Sequence, residues 1–352
     1  MKNNTVLIAV GLLIINVISC ESNNKENRIL PTDEIPPITT YKDSQIVADH
    51  NVVELYDDIP QRWIDSVKTK LVWIQGMSHG YGYFRGAELL EAIDNRFQVE
   101  IWYHTAEPED VGNGLRLGRP LFGSESSWTR PAGIDATNKA IRNLYYKRNP
   151  YDFVWFGWSY QSTWQNGLTD RDPIYDVGWA GSTQSGPDGN LAWGLDAEDQ
   201  VLTGNRVCMD TYLDAVEQFN QYCTANAIDT KYFFSNGVVD LNAGTELGFQ
   251  RELKNQHIRN YISGRAGVTY FFDYADILIH NDKGEKYQVK WNDNGKIRLH
   301  DQIHPDNLSD NTGVEIGEGV MDDHVGDVGA VRLAKAMWWL LARASGWDGK
   351  SQ

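Results

Sequence analysis

The chain has 352 residues, 13 tryptophans, 17 tyrosines and a formal net charge of −16. So acidic a chain, with no basic stripe, cannot displace counterions from a phosphate backbone, and this argues against nucleic acid as a partner. About 300 residues follow position 50 without a linker-like break, enough for one large α/β domain. We therefore predict a single domain over residues 51–352.

The amino terminus has the pattern of an export signal. Residues 1–4 include a lysine, residues 6–18 are apolar, and Ser19 and Cys20 follow. These are the n-region, the h-region and the small-residue cleavage site of a signal peptide. The apolar run is too short to span a bilayer as a helix of the mature protein.

The four residues Val17-Ile18-Ser19-Cys20 resemble a bacterial lipobox. The resemblance implies a lipoprotein signal peptide over residues 1–20 and an acyl chain on Cys20. We expect an exported protein that is anchored by lipid to a bacterial membrane, at the outer membrane or cell surface. A cleaved secretory signal with an incidental cysteine is the alternative. Residues 21–50 are predicted to be a flexible tether, because the segment starts polar and contains three prolines.

Five short apolar runs, each followed by a turn or a polar loop, predict strands. They are residues 70–75, 98–103, 152–156, 231–234 and 276–279. Helical patterns lie between or after them, at residues 82–97, 135–147, 210–227, 247–263 and 328–344. This alternation indicates a mostly parallel sheet with both faces covered. The predicted fold class is α/β, a three-layer α/β/α sandwich with a mostly parallel five-stranded sheet.

Two segments interrupt this alternation and are predicted to be insertions. Residues 160–205 have no clear period and are rich in Gly, Asp, Ser and Trp. A connection of this length is typical of a substrate-facing or lid element. Residues 282–299, with turn residues at Gly284 and at Asn294-Gly295, predict a small β-hairpin.

A serine and a histidine stand where the chemistry of such a sheet is expected. The first strand runs into Gly76-Met77-Ser78 and then a helix, which sets one hydroxyl at the carboxyl end of the sheet. A serine needs a base to remove its proton and an acid to orient that base. His324 lies in a loop with two aspartates, directly before the last helix, and can supply the base.

These motifs resemble the SGNH, or GDSL-like, hydrolase family over most of residues 70–346, in the order of elements rather than in identity. Family members place the serine after the first strand, here Ser78 followed by His79, and the histidine before the final helix, here His324. The resemblance implies a flavodoxin-like fold, Ser78 as nucleophile and His324 as general base. The family's orienting aspartate usually lies three residues before the histidine.

In this chain Met321 occupies that position, so Asp322 or Asp323 is expected to orient the imidazole. The resemblance also implies an oxyanion hole that combines backbone N–H groups with an asparagine of a Gly-x-Asn motif. Preorganised donors of this kind are each worth roughly 3–4 kcal/mol.

The second-strand loop offers Gly123 for this oxyanion hole. The third strand ends Gly157-Trp158-Ser159, so Ser159 stands where the asparagine is expected. Its hydroxyl can donate one hydrogen bond but is shorter than an amide. Asn236, after the fourth strand, is a possible substitute donor.

Other polar residues carry weaker signals. His300 and His304 are metal-ligand types at close spacing, but a polar loop is the preferred interpretation, and no metal, nucleotide or flavin motif is present. We therefore expect no metal and no cofactor. The remaining candidates are His104 and His280, which follow strands and can line the cleft, Asp240, preferred as a turn residue, and His257, preferred as a solvated helix residue.

The leading hypothesis is an esterase that removes acyl groups, such as acetyl, from a carbohydrate, whose stacking partners would be aromatic side chains. One alternative is a glycoside hydrolase that uses Asp322, Asp323 and Asp240 in the same cleft. The other is a carbohydrate-binding surface lipoprotein without activity. The oligomeric state stays open. The lipid anchor is the only membrane contact expected.

Overall fold

A computed structural model describes residues 40–76, 78–103, 113–119, 128–159, 208–239, 244, 246–293, 296–317 and 324–350. These residues all belong to one compact unit that spans residues 36–352. The strands among them are β1 (Gln45–Ala48), β2 (Leu71–Gly76), β3 (Val99–Tyr103), β4 (Leu115–Arg119), β5 (Phe153–Gly157), β6 (Lys231–Tyr232), β7 (Phe234–Ser235), β8 (Thr269–Phe272), β9 (Gln288–Asp293) and β10 (Lys296–Asp301). The α-helices are α1 (Gln61–Lys68), α2 (Gly82–Ile93), α3 (Pro131–Tyr146), α4 (Cys208–Ala225), α5 (Glu246–Gly264), α6 (Tyr274–Ile279) and α7 (Asp327–Ala344).

The central sheet is parallel throughout. One ladder has the order β3-β4-β2-β5-β6, and a second has the order β1-β8-β7. Strands β6 and β7 are two halves of one extended segment, and between them the Phe233 N–H donates to the Val154 carbonyl at 2.9 Å. The segment 231–235 therefore joins both ladders into one continuous sheet.

Side chains alternate between two hydrophobic cores, one on each face of the sheet. In β2, Val72 and Ile74 belong to the first core, whereas Leu71 and Trp73 belong to the second. Residues of α1, α2, α6 and α7 complete the first core, and residues of α3, α4 and α5 complete the second. This period of two, with helices on both faces, is the three-layer α/β/α arrangement predicted from the sequence.

One predicted strand is wrong. Residues 276–279 form the end of helix α6 (Tyr274–Ile279), and the strand lies just before it at β8 (Thr269–Phe272). The Asp273 side chain accepts from the Asp276 N–H and caps the helix, which favours helix over strand at this point. A short buried apolar run has no period that separates the two.

Two further strands, β1 and β4, were not predicted. Strand β1 (Gln45–Ala48) pairs with β8 at an edge of the sheet, so the folded chain begins inside residues 21–50, which the sequence assigned to the tether. The hairpin expected within 282–299 is present as the antiparallel pair β9 and β10, and it extends to Asp301. Residues 1–39, with the predicted signal peptide and Cys20, and the insertion 160–205 lie outside the described residues.

No helix in the described part of the chain is both long and apolar enough to cross a membrane.

Candidate active site

Ser78 lies at the carboxyl end of β2, where the chain turns into α2. It begins the 3-10 turn Ser78–Tyr81 and is half-buried. Its φ of 55° lies in the left-handed region, which costs a non-glycine residue energy and is found disproportionately at functional sites. A strained serine on a sharp strand-to-helix turn is the local geometry of a nucleophile elbow.

The strand order reverses direction beside β2. The chain passes from β2 outward to β3 and β4 on one side, and the later strands β5 to β8 lie on the other side. Parallel α/β sheets bind ligands where the strand order reverses, outside the carboxyl ends of the strands. Ser78 after β2 and Gly157 at the end of β5 flank that point.

The imidazole of His79 lies within hydrogen-bonding distance of the serine hydroxyl. Its Nδ1 lies 3.3 Å from Ser78 Oγ, and the residue is only 2% exposed. The hydroxyl of Tyr274, at the start of α6, donates to the His79 carbonyl at 2.9 Å. Burial and the neighbouring charges of His324 and Arg251 lower the pKa of His79 to about 3. His79 is therefore a neutral imidazole at pH 7 and a weak base.

His324 meets the serine loop from the opposite end of the chain. Its ring centroid lies 4.9 Å from that of His79, with the planes tilted by 40°. The residue is exposed, and its φ of 59° is also left-handed. The two loops singled out in the sequence thus come together over the end of the sheet.

Two helices hold these loops in register. Helix α2 starts four residues after Ser78, and α7 starts three residues after His324. Arg85 of α2 donates to both carboxylate oxygens of Asp327 in α7, at 2.8 and 2.7 Å, and its third contact is the Gly317 carbonyl at 2.9 Å. We call the Arg85–Asp327 pair the clasp.

Close backbone contacts reinforce the clasp. A Cβ placed on Gly86 would lie 1.8 Å from the Ala330 carbonyl oxygen, so α2 and α7 touch backbone to backbone at this point. One turn earlier, a Cβ on Gly82 would lie 3.1 Å from the Val325 side chain, next to His324. Only glycine permits so close an approach of two backbones.

Gly157 packs directly beneath the serine loop. A Cβ on Gly80 would lie 3.1 Å from the Gly157 carbonyl oxygen, and a Cβ on Gly157 would lie 3.2 Å from the Gly80 Cα. Ser159 follows two residues later and is buried. The end of β5 therefore lies against Gly80 of the serine loop.

Asn236, by contrast, is part of the core. It is fully buried; its Nδ2 donates to Asp273 at 2.5 Å, and its Oδ1 accepts from the Ala275 N–H at 3.0 Å. Arg259 donates to the same Asp273 carboxylate at 2.7 and 2.8 Å. The amide supports the start of α6, so the suggestion of Asn236 as an oxyanion donor is wrong.

Several sequence candidates lie outside the described residues: Gly123, Asp240, Asp322, Asp323 and His104. The other histidines are accounted for. His300 lies in β10 and is fully buried rather than in a polar loop, His304 caps the 3-10 turn Pro305–Leu308, and His257 Nε2 contacts Asp210 Oδ1 at 2.7 Å.

The sequence reasoning missed three features of this region. Tyr274 carries no motif, and the clasp joins residues 242 positions apart. His50, Asp276 and His280 also gather into one cluster, although His50 lies within the predicted tether. The tautomer and charge of such groups depend on contacts that only the folded chain reveals.

The high tryptophan content suggested a carbohydrate ligand, but the described tryptophans lie mainly inside the protein. No tryptophan among the described residues is exposed, and most are fully or nearly buried: Trp73, Trp128, Trp155, Trp158, Trp338, Trp339 and Trp347. Their burial explains much of the aromatic content as core packing.

Comparisons with known proteins give no relative: no family model, no curated protein and no solved structure matches the chain.

Proposed function

We propose that the protein is a serine hydrolase of the SGNH type that cleaves esters, with a carbohydrate acyl ester as substrate. The observation that carries the proposal is the meeting of Ser78, His79 and His324 at the carboxyl end of the central sheet. The left-handed backbone of Ser78 and the position beside the change in strand order support it further.

In the proposed first step, Ser78 Oγ attacks the ester carbonyl while His324 takes the hydroxyl proton. The bond between carbonyl carbon and sugar oxygen then breaks, and His324 returns the proton to the leaving alkoxide. Water attacks the acyl-enzyme with His324 again as base, which releases the carboxylic acid and restores Ser78. Either Asp322 or Asp323 orients the imidazole.

His79 has a different role in this proposal. With a pKa near 3 it is too weak a base to remove a serine proton efficiently at neutral pH. Its Nδ1 lies within hydrogen-bonding distance of Ser78 Oγ, so it holds the hydroxyl in one rotamer. The charge that develops on the carbonyl oxygen is stabilised by N–H groups of the serine loop, with Gly123, Gly157 and Ser159 as further contributors.

The carbohydrate part of the proposal has narrower support. It rests on the proposed export to a cell surface. The aromatic content adds little support, because the described tryptophans mostly fill the core. The cell-surface location itself follows from the lipobox-like sequence that ends at Cys20. Loss of membrane association in Cys20→Ala would support the anchor, and unchanged association would contradict it.

The decisive experiment is covalent labelling of the purified protein with a fluorophosphonate, followed by peptide mapping. The expected result is a single modified residue, Ser78, with labelling and ester turnover both lost in Ser78→Ala. Ser66→Ala is the matched control, because Ser66 lies in α1, which precedes β2, whereas Ser78 follows β2 at its opposite end. Full turnover of an activated ester by Ser78→Ala would refute the mechanism.

The substrate class is tested separately with acetylated oligosaccharides. Release of acetate without chain shortening supports the esterase. New reducing ends without acetate would indicate a glycoside hydrolase instead.

A further inference from the structure

A second cluster of reactive side chains also lies at the carboxyl ends of the parallel strands, but outside the proposed hydrolase site. Strands β1 and β8 are parallel neighbours, and His50 follows β1 while Asp276 and His280 follow β8. One candidate ligand atom from each of these three residues lies within 4.8 Å of the other two. We call them the His50 cluster.

Asp276 is the fixed centre of this cluster. The His50 N–H donates to Asp276 Oδ2 at 3.0 Å, and the His50 imidazole donates to the same oxygen through Nδ1. The Asp276 N–H in turn donates to the capping carboxylate of Asp273 at 3.1 Å. Backbone contacts thus set the position of the Asp276 carboxylate, and little rearrangement is needed to present it to a ligand.

The tautomer of His280 is set by its surroundings. Its Nδ1 lies 2.8 Å from the Asp276 carbonyl oxygen, which can only accept, so Nδ1 carries the proton and Nε2 keeps its lone pair. Asn307 Nδ2 donates to the His280 carbonyl at 2.9 Å and fixes the backbone there. A histidine whose second nitrogen donates to a backbone carbonyl is the usual outer-shell arrangement of a metal ligand.

The charges around the cluster suit a cation. The Asp49 carboxylate lies near enough to interact with that of Asp276. Three positive groups also act on the cluster, Arg332, Arg259 and Lys286. Each is already paired with another carboxylate, that of Asp282, Asp273 and Asp301 respectively. The side chains of His50, Asp276 and His280 are 23%, 19% and 11% exposed. They are therefore partly removed from water yet reachable from solvent.

We propose that the His50 cluster binds a divalent transition-metal ion such as Zn²⁺, with two imidazole nitrogens and one carboxylate oxygen as ligands. Nitrogen and oxygen donors of this kind suit Zn²⁺ and its neighbours rather than Mg²⁺ or Ca²⁺. The two rings stack with centroids 3.7 Å apart, which keeps both imidazoles within reach of one ion. Water completes the coordination. The proposed ester hydrolysis takes no step through this ion.

The test is a calorimetric titration of the full chain with ZnCl₂, after removal of any affinity tag and dialysis against a chelator. We expect one equivalent to bind. His50→Gln and His280→Gln should each weaken binding by at least the roughly 10–100-fold that loss of an outer-shell partner alone costs. Circular dichroism checks that both variants are folded, and a Co²⁺ absorption band lost in both would identify the same ligands.

His257→Gln is the matched control. His257 faces Asp210 at 2.7 Å with its side chain 33% exposed, and among the described residues it belongs to no group of three candidate ligands, so its loss should leave Zn²⁺ binding unchanged. The proposal is overturned if the wild-type chain binds no Zn²⁺, or if folded His50→Gln and His280→Gln bind it as tightly as wild type. Because the measurement does not involve Ser78, failure of the hydrolase proposal would leave it intact.

Discussion

The clasp between Arg85 and Asp327 gives the sharpest prediction about the candidate active site. Its side chains are 16% and 18% exposed, between a fully buried pair and a surface pair. Breaking a buried pair costs about 3–5 kcal/mol, whereas an exposed pair is worth about 0–1 kcal/mol. We therefore expect Arg85→Ala to lower the free energy of unfolding by about 2 kcal/mol.

The larger effect should be on catalysis. The clasp joins the helix that follows Ser78 to the helix that follows His324, so its loss lets the two loops drift apart. A displacement of about 1 Å at reacting groups costs on the order of 100-fold in rate. We expect kcat for an activated ester, and the rate of fluorophosphonate labelling, to fall by about that factor with little change in KM.

Two further variants separate positioning from general stability. Arg85→Lys keeps the charge but not the two-pronged contact, so it should restore stability more than rate. Lys335→Ala is the control, because Lys335 also ties α7 to another segment, through Glu54 at 2.9 Å, and its side chain is 17% exposed, but that segment carries neither Ser78 nor His324. Unchanged kcat and an unchanged urea midpoint in folded Arg85→Ala would refute the reasoning.

The remaining predictions concern packing and pH. Gly86→Ala should destabilise the fold by at least about 2 kcal/mol in urea unfolding, because its Cβ would overlap the Ala330 carbonyl and force α2 from α7; wild-type stability would contradict that contact. The pKa of His79 is about 3 when folded, below its ordinary 6.5, so the unfolded chain binds more protons and stability falls as pH drops below about 6.5. Between pH 7 and pH 5 the free energy of unfolding should fall by about 2 kcal/mol because of His79. In His79→Gln this part of the fall should be missing. If both proteins lose the same free energy of unfolding over this pH range, His79 is not its source.

Much of the architecture could be predicted because the apolar periodicity of a helix or strand is a local property of the sequence. Helix α7 (Asp327–Ala344) starts within one residue of its predicted position and ends at it, since its apolar period is long and regular. The run 276–279 differs from the predicted strand because it is short and mostly buried, so that the cap at Asp273 is what favours helix over strand. Edge strand β1 escaped prediction because a four-residue strand carries little signal.

The same contrast between local patterns and long-range contacts applies to the residues of the candidate site. Ser78 and His324 could be found because each stands at a recognisable strand or helix end. Asn236 failed because its amide is committed to Asp273 and Ala275, partners 37 and 39 residues away. The pairing of His50 with Asp276 spans 226 residues. No local pattern encodes contacts of that range, and they arise only from which strands become neighbours.

The segment 231–235 has a consequence for how the protein comes apart. It is hydrogen-bonded to β5 on one side and to β8 on the other, so neither half of the sheet has a finished edge without it. If β8 and β1 detached, the amide and carbonyl groups of segment 231–235 that pair with β8 would lose their partners. If β5 detached, the groups on the other side of the segment would lose theirs. We therefore expect β1 and the serine-bearing β2 to unfold together, although the described residues place them in different ladders that this segment joins.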